Sequence, residues 1–173
     1  MTIYALSSGS GISGIAVIRI SGKNTANLIR SLTNGEIPKP RVATLKKINN
    51  INTSELIDEG IILWFPGPES YTGEDMAEIH VHGGKAVVQR MLNELSEAKN
   101  CRIAEPGEFT KLAFQNGKIN LLKAESIGDL ISAETEIQRL QAVKIMKGKS
   151  AEKFDDLRDK LLKILSFVEA KID

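Results

Sequence analysis

The chain has 173 residues, with 23 Lys and Arg against 22 Asp and Glu, so a net charge of +1 names neither an acidic nor a basic partner. At 42% hydrophobic and 26% charged it has the composition of an ordinary folded protein of one large domain or two small ones, which excludes a disordered chain. No run reaches the roughly 18 consecutive apolar residues of a spanning helix, the start lacks a secretory signal, and the lone Cys101 excludes an internal disulfide or a cysteine-built zinc site, all of which fits a cytoplasmic setting.

In chain order, Ile3 to Leu6 and Ile15 to Ile20 read as strands joined by the Gly/Ser loop Ser7 to Gly14. A helix follows at about Asn24 to Leu32, stopped by Asn34-Gly35. Val42 to Ile48, Gly60 to Phe65 and Met76 to His82 read as further strands, the middle one ended by Pro66 and Pro68. Lys85 to Leu95 has the spacing of an amphipathic helix, and a shorter helix starts after Glu105-Pro106-Gly107 and stops at Asn116-Gly117-Lys118. Near residue 118 the character changes, giving residues 1–118 as one domain and 119–173 as a helical one. One helix runs from Leu121 to about Ala133 and another from about Glu136 to Ile172. The stripe Phe154, Leu157, Leu161, Ile164, Leu165 and Val168 calls for a bundle mate or a second chain. The pattern is still helical at Asp173, which reads as a piece of a longer protein.

Three motifs imitate chemistry. Gly9, Gly11 and Gly14 spell G-x-G-x-x-G, but the β-branched run Ile15 to Ile20 follows where a dinucleotide site needs a helix N-terminus. Gly148-Lys149-Ser150 ends like a phosphate-binding loop, but Val143 stands where its first glycine belongs and no strand precedes it. Glu78, His80 and His82 share one strand face, a possible arrangement for metal ligands, yet a third or fourth ligand is not evident from spacing, so a metal is the minor reading.

More informative is Arg19, a guanidinium in an otherwise apolar strand, and Glu78, its counterpart in another. Either they form a structural ion pair or they wait in a pocket for a ligand, because burying either unpaired costs several kcal/mol on the order given for buried ions. Pro66 to Asp75 is a rigid turn and polar loop delivering the chain into the Glu78 strand, and His82-Gly83-Gly84 allows close backbone approach to a ligand before the next helix. Lys118 stands at the domain boundary.

The strings Phe65-Pro66-Gly67-Pro68-x-Ser70-Tyr71-Thr72-Gly73-Glu74-Asp75, His82-Gly83-Gly84, Pro106-Gly107-Glu108-Phe109-Thr110 and Ala113-Phe114-x-Asn116-Gly117-Lys118 closely resemble the tRNA modification GTPase family MnmE, also called TrmE. Val17 to Gly22, Ala124 to Ile131 and Val168 to Asp173 extend the likeness over the whole chain. The resemblance implies an α+β fold: a two-layer domain of mixed sheet and helices, like the tetrahydrofolate-binding domain of the glycine-cleavage T-protein, followed by a partial all-α domain. It implies a folate one-carbon donor (5-formyl or 5,10-methylene) at Arg19, Glu78 and Lys118, with no catalytic residue and no metal in these residues. It also implies a homodimer through residues 1–118, a flavin-dependent partner, MnmG, and tRNA modified at C5 of the wobble uridine. GTP, Mg2+ and K+ belong to a GTPase domain that these residues do not contain, so the chain alone is expected to bind folate without hydrolysing GTP. Here the loop reads Gly11-Ile12-Ser13-Gly14 where relatives carry an arginine and an extra glycine, Asn120 replaces a common aspartate, and His80, at a variable position, receives no role. The competing reading is a non-catalytic docking module whose charges form internal pairs.

Overall fold

The computed structural model describes residues 1–170, apart from the side chains of residues 149–152 and 155. Two compact units divide the chain, Met1–Lys118 and Ile119–Asp173. The first has a six-stranded sheet with β1 (Thr2–Leu6), β2 (Ser13–Ser21), β3 (Thr44–Asn49), β4 (Leu56–Phe65), β5 (Met76–Gly83) and β6 (Cys101–Ile103), together with α1 (Thr25–Leu32), α2 (Lys85–Glu97) and α3 (Glu108–Gln115). The strand order is β3-β4-β5-β2-β1-β6, antiparallel throughout except where β6 runs parallel to β1. This is an α+β fold with a mixed sheet, as the sequence predicts.

Alternation decides which face of the sheet is covered. Ala16, Ile18 and Ile20 of β2, Ile62 and Trp64 of β4, and Ala77, Ile79 and Val81 of β5 point to one side and are buried. Leu28, Ile29 and Leu32 of α1 and Met91 and Leu95 of α2 complete that core. The opposite face carries Ile15, Val17 and Arg19, then Glu78, His80 and His82, at the odd and even positions of β2 and β5, and all six retain solvent exposure.

Two glycines are explained by strand packing. A Cβ on Gly60 would lie 2.1 Å from the His80 carbonyl oxygen, so the close approach of β4 to β5 requires no side chain there. A Cβ on Gly83 would lie 2.1 Å from Ser13 Oγ, at an irregular stretch of the β2–β5 ladder. The neighbour that demands Gly83 is therefore β2, not a ligand. At the end of β5, Asp58 accepts hydrogen bonds from the His82 amide (2.8 Å) and pairs with its Nδ1 (2.8 Å). Burial pushes the Asp58 carboxyl up, but the His82 amide and imidazole and the Glu59 amide together outweigh this and hold it below the usual carboxylate range.

The second unit contains α4 (Leu121–Ser132), α5 (Glu136–Met146) and α6 (Lys149–Glu169). Asn120 caps α4 by accepting from the Lys123 amide at 2.9 Å, a role an amide oxygen fills as well as a carboxylate. Thr135 and Gln138 form a capping box at α5. The single helix expected from Glu136 to Ile172 is instead two, because Gly148 takes φ +85°, a left-handed conformation that breaks the helix, and the expected end at Ile172 lies outside the described residues. Further differences sit in the first unit. The strand β4 starts at Leu56 rather than Gly60, β2 at Ser13 rather than Ile15 and β3 at Thr44 rather than Val42, while β6, absent from the sequence reading, has three residues and is too short to display alternation. The α6 stripe, Phe154, Leu157, Leu161, Ile164, Leu165 and Val168, is at least half exposed. No helix among the described residues is long and apolar enough to cross a membrane.

Glu94 of α2 is 2% exposed, and its carboxylate accepts from Asn50 Nδ2 (2.8 Å) and the Ile51 amide (2.7 Å), pinning the β3–β4 turn to the helix. Glu94→Ala is expected to destabilise the chain by about 2–4 kcal/mol by leaving both donors unsatisfied, and Glu94→Gln by less, as read from urea unfolding. A second expectation concerns acid. Because the folded-state pKa of Asp58 is lowered, its contribution to stability is present above the unfolded carboxylate value, about 3.9, and is lost as pH falls through the folded value. Asp58→Asn should therefore flatten the stability profile below about pH 4, a comparison that thermal melts across pH would make.

Candidate functional site

Cross-strand register brings Arg19 and Glu78 together. They are direct partners in the β2–β5 ladder, on the sheet face not covered by α1 and α2. Arg19 donates from Nε (3.0 Å) and Nη2 (2.6 Å) to one oxygen of Glu78, Oε1. The second oxygen, Oε2, takes no hydrogen bond and faces His80 Nε2 at 3.7 Å. Both partners of the ion pair keep some solvent contact, 29% for the Arg19 side chain and 18% for Glu78. A half-wet pair escapes most of the desolvation cost of a buried one and remains open to a competing ligand.

The guanidinium also lies under two rings, 5.8 Å from the Tyr71 centroid and 5.6 Å from that of Phe109, within range for cation–π attraction. Each ring is held by its own scaffold. Phe109 belongs to α3, whose start is fixed by Glu108: its carboxylate binds the Arg102 guanidinium and accepts from the Glu105 amide at 2.8 Å. The Arg102 hydrogen bonds hold the Glu108 carboxyl below its usual range despite partial desolvation. Tyr71 sits in the loop between β4 and β5, its hydroxyl 3.0 Å from Thr110 Oγ1. That loop is tied internally by Gly67 N–H to Asp75 Oδ1 (2.9 Å) and by Ser70 to the Glu74 carbonyl, and externally by Thr72 to Ser21 (2.7 Å).

Lys118 reaches the same loop from the other direction. After α3, Gly117 takes φ +68° and the Lys118 amide donates to the Ala113 carbonyl at 2.8 Å, which turns the chain back. Asn116 Nδ2 donates to the Thr72 carbonyl at 2.7 Å, and a Cβ at Gly73 would lie 3.2 Å from Lys118 Cε, so the lysine stem lies over that glycine. The Lys118 ammonium makes no ion pair among the described residues. The structure thus joins Arg19 to Glu78 directly, and places Lys118 against the loop that delivers Tyr71 to Arg19.

Four cavities open among the described residues away from these three side chains. A shallow one of about 170 Å³ opens one position along β5, between Ile15, Leu45, Ile61 and His80. His82 is turned to Asp58, and no group of three or more His, Cys, Asp or Glu among the described residues is placed to hold a metal ion. Gly9 and Gly11 lie in the loop that joins β1 to β2 and Gly14 lies in β2 itself, so no helix follows the motif. Sequence reading assigns no role to Tyr71, Phe109 or His80. The two aromatics lie inside the motifs that carry the resemblance, but nothing in their spacing shows that they meet over Arg19.

Comparison with known proteins gives the lineage. The family model described as "GTP-binding protein TrmE N-terminus" matches residues 2–118, and "MnmE helical domain" matches residues 121–173. The chain is 76% identical over all 173 residues to "tRNA modification GTPase MnmE" of Pelagibacter ubique, covering 39% of that protein, and 49% identical over 172 residues to the protein of the same name from Brucella anthropi, covering 99% of this chain and 38% of the relative. It is also 49% identical over 172 residues to the mitochondrial "5-taurinomethyluridine-[tRNA] synthase subunit GTPB3" of Danio rerio, covering 99% of this chain and 34% of that protein. The chain spans about two-fifths of the length of the bacterial relatives. With both units matched end to end, this chain belongs to the MnmE (TrmE) family of tRNA modification GTPases.

Proposed function

We propose that residues 1–118 bind a reduced folate, a 5-formyl or 5,10-methylene tetrahydrofolate, through Arg19, Glu78 and Lys118, and that the unit pairs with a second copy of itself. In this reading the folate supplies the one-carbon unit for C5 modification of a wobble uridine in tRNA, carried out in the cytoplasm with the flavin-dependent partner MnmG. GTP hydrolysis with Mg2+ and K+ is the task of a GTPase domain of the whole protein. The observation that carries the reading is the half-exposed Arg19–Glu78 pair on the open sheet face, roofed by Tyr71 and Phe109.

The chemistry of that arrangement suits an aminopyrimidine. An ionised carboxylate offers two coplanar acceptor oxygens, and Glu78 keeps Oε2 free of any hydrogen bond while Oε1 is engaged. Aromatic rings beside it provide surface on which a flat heterocycle stacks. Lys118, without an ion pair among the described residues and close to the same loop, would suit a carbonyl or the anionic glutamate tail. Support for self-association comes from Ile15, Leu45 and Ile61, which are 62%, 64% and 39% exposed around the cavity on the open face.

The formed Arg19–Glu78 pair favours a second reading as well, a docking module in which the charges merely satisfy one another. The two readings differ in what Glu78→Ala does. If the carboxylate holds the ligand, calorimetric titration with 5-formyltetrahydrofolate should show binding to the wild-type chain and a loss of about ten- to hundredfold in the variant, the range of one charge-assisted hydrogen-bonding group. Affinity unchanged in a variant that melts at a lower temperature would leave the docking module. Light scattering on the same samples should give twice the mass of the chain, and a monomer at micromolar concentration would remove the self-association.

A further inference from the structure

The His80 imidazole is placed where it has one polar neighbour and no completed contact. Its Nε2 is the one buried side-chain nitrogen or oxygen among the described residues that lacks a hydrogen-bond partner. Such an atom costs about 1–3 kcal/mol when left unsatisfied, so it asks for an explanation. On the open face its cross-strand neighbours are Val17 of β2 and Ile61 of β4, neither of which has a polar side chain. Of the ionisable groups around it, Arg19 on β2 is spent on Glu78, His82 on β5 is bound to Asp58 of β4, and Glu59 of β4 is exposed and makes no hydrogen bond or ion pair with the ring. What remains is Glu78 Oε2, the oxygen that Arg19 leaves free, 3.7 Å away.

We propose that His80 is a positioning residue for Glu78: its Nε2–H closes onto Oε2 and, with Arg19 on Oε1, fixes the plane of the carboxylate that receives the ligand. The inference rests on the folate reading for its consequence, but the contact itself stands on geometry. A carboxylate held at one oxygen is free to rotate about its last torsion, which is broad for Glu. A second donor on the other oxygen removes that freedom and leaves one lone pair of Oε2 pointing outward, where a ring N–H approaches in the carboxylate plane. The closing movement is about 0.7 Å, from 3.7 Å to an ordinary N–H···O distance of about 3.0 Å. Among the described residues no donor is within hydrogen-bond distance of Oε2, and His80 Nε2 is the cationic-type side-chain nitrogen recorded beside it, at 3.7 Å. His80 thereby also sets which ligands are accepted: those that donate in the plane of Glu78 and carry an apolar flank toward Ile61.

Nitrogen-15 NMR of the neutral imidazole, followed to the alkaline plateau of its own chemical shifts, tests the contact without any ligand. The expected result is a His80 proton on Nε2 in the wild-type chain and a shift in the tautomer balance in Glu78→Leu. A proton on Nδ1 in the wild type overturns the proposal whether or not folate binds. Affinity for 5-formyltetrahydrofolate then tests the consequence. His80→Leu should weaken it about two- to tenfold, the range of one neutral hydrogen bond, and His80→Gln, which keeps a donor, should recover most of the loss. Adding His80→Leu to Glu78→Ala should cost nothing further. Folate binding that His80→Leu leaves unchanged defeats the positioning role while sparing the folate reading. A wild-type chain that binds no folate defeats the folate reading and leaves the tautomer result to judge the contact.

Discussion

The site depends on two opposite charges meeting across adjacent strands on a face of the sheet that is neither dry nor fully wet. Arg19 and Glu78 sit at 29% and 18% side-chain exposure, between the limits at which ion pairs become either worthless or costly. Had α1 and α2 covered this face, the pair would need complete internal satisfaction and would exclude a ligand. On an open surface, solvent and salt would compete with it and the carboxylate would have no fixed plane. The register decides the matter. A slip of one residue in β2 against β5 would carry Arg19 into the core beside Ile79 and bring Ile18 or Ile20 out. The hydrophobic pattern of two strands therefore enforces the alignment of the two charges.

That register is itself secured from outside the ladder. Gly60 permits β4 to approach the His80 carbonyl, Gly83 permits β2 to approach at Ser13, and the Asp58–His82 pair ties the end of β5 to β4. On the other side, the loop from Pro66 to Asp75 is bonded to β2 through Ser21 and Thr72 and to α3 through Tyr71 and Asn116. The residues that position the charges are thus mostly small or neutral, and they cluster in the stretches that carry the resemblance to the MnmE family.

How much of this could be read from the sequence follows from which physical signal each part leaves. Strands β1, β2 and β5 and helices α1 and α2 announce themselves because one face is buried, and alternation or helical spacing records it. The second half of β3–β4 pairing is quieter: Leu56 to Glu59 mix charged and apolar residues at the sheet edge, and a glycine inside a strand reads as a boundary. With three residues, β6 has no period to display. In the sequence Gly148 falls inside a single helical stretch from Glu136 to Ile172, and only its left-handed backbone shows that α5 ends there. Arg19 and Glu78 stood out as charges in apolar strands. Their pairing was one of two options, since spacing along the chain carries no information about register across it.

His80 shows why side-chain chemistry at a site is harder to read than the fold. In the sequence it is one of three polar residues alternating along β5, and nothing separates its role from that of His82 two positions on. Structure separates them completely. A cross-strand carboxylate at 2.8 Å occupies His82 Nδ1, whereas His80 is flanked by Val17 and Ile61 and faces the oxygen that Arg19 does not use. The difference arises from two aliphatic neighbours that deny the ring any other partner, so it is a property of the assembled sheet rather than of the strand. An ion pair alone would have left Glu78 with one engaged oxygen and a free rotation. A donor on the second oxygen is what would separate an oriented carboxylate from one that merely balances an arginine, and His80 is the residue that the sheet places 3.7 Å from that oxygen.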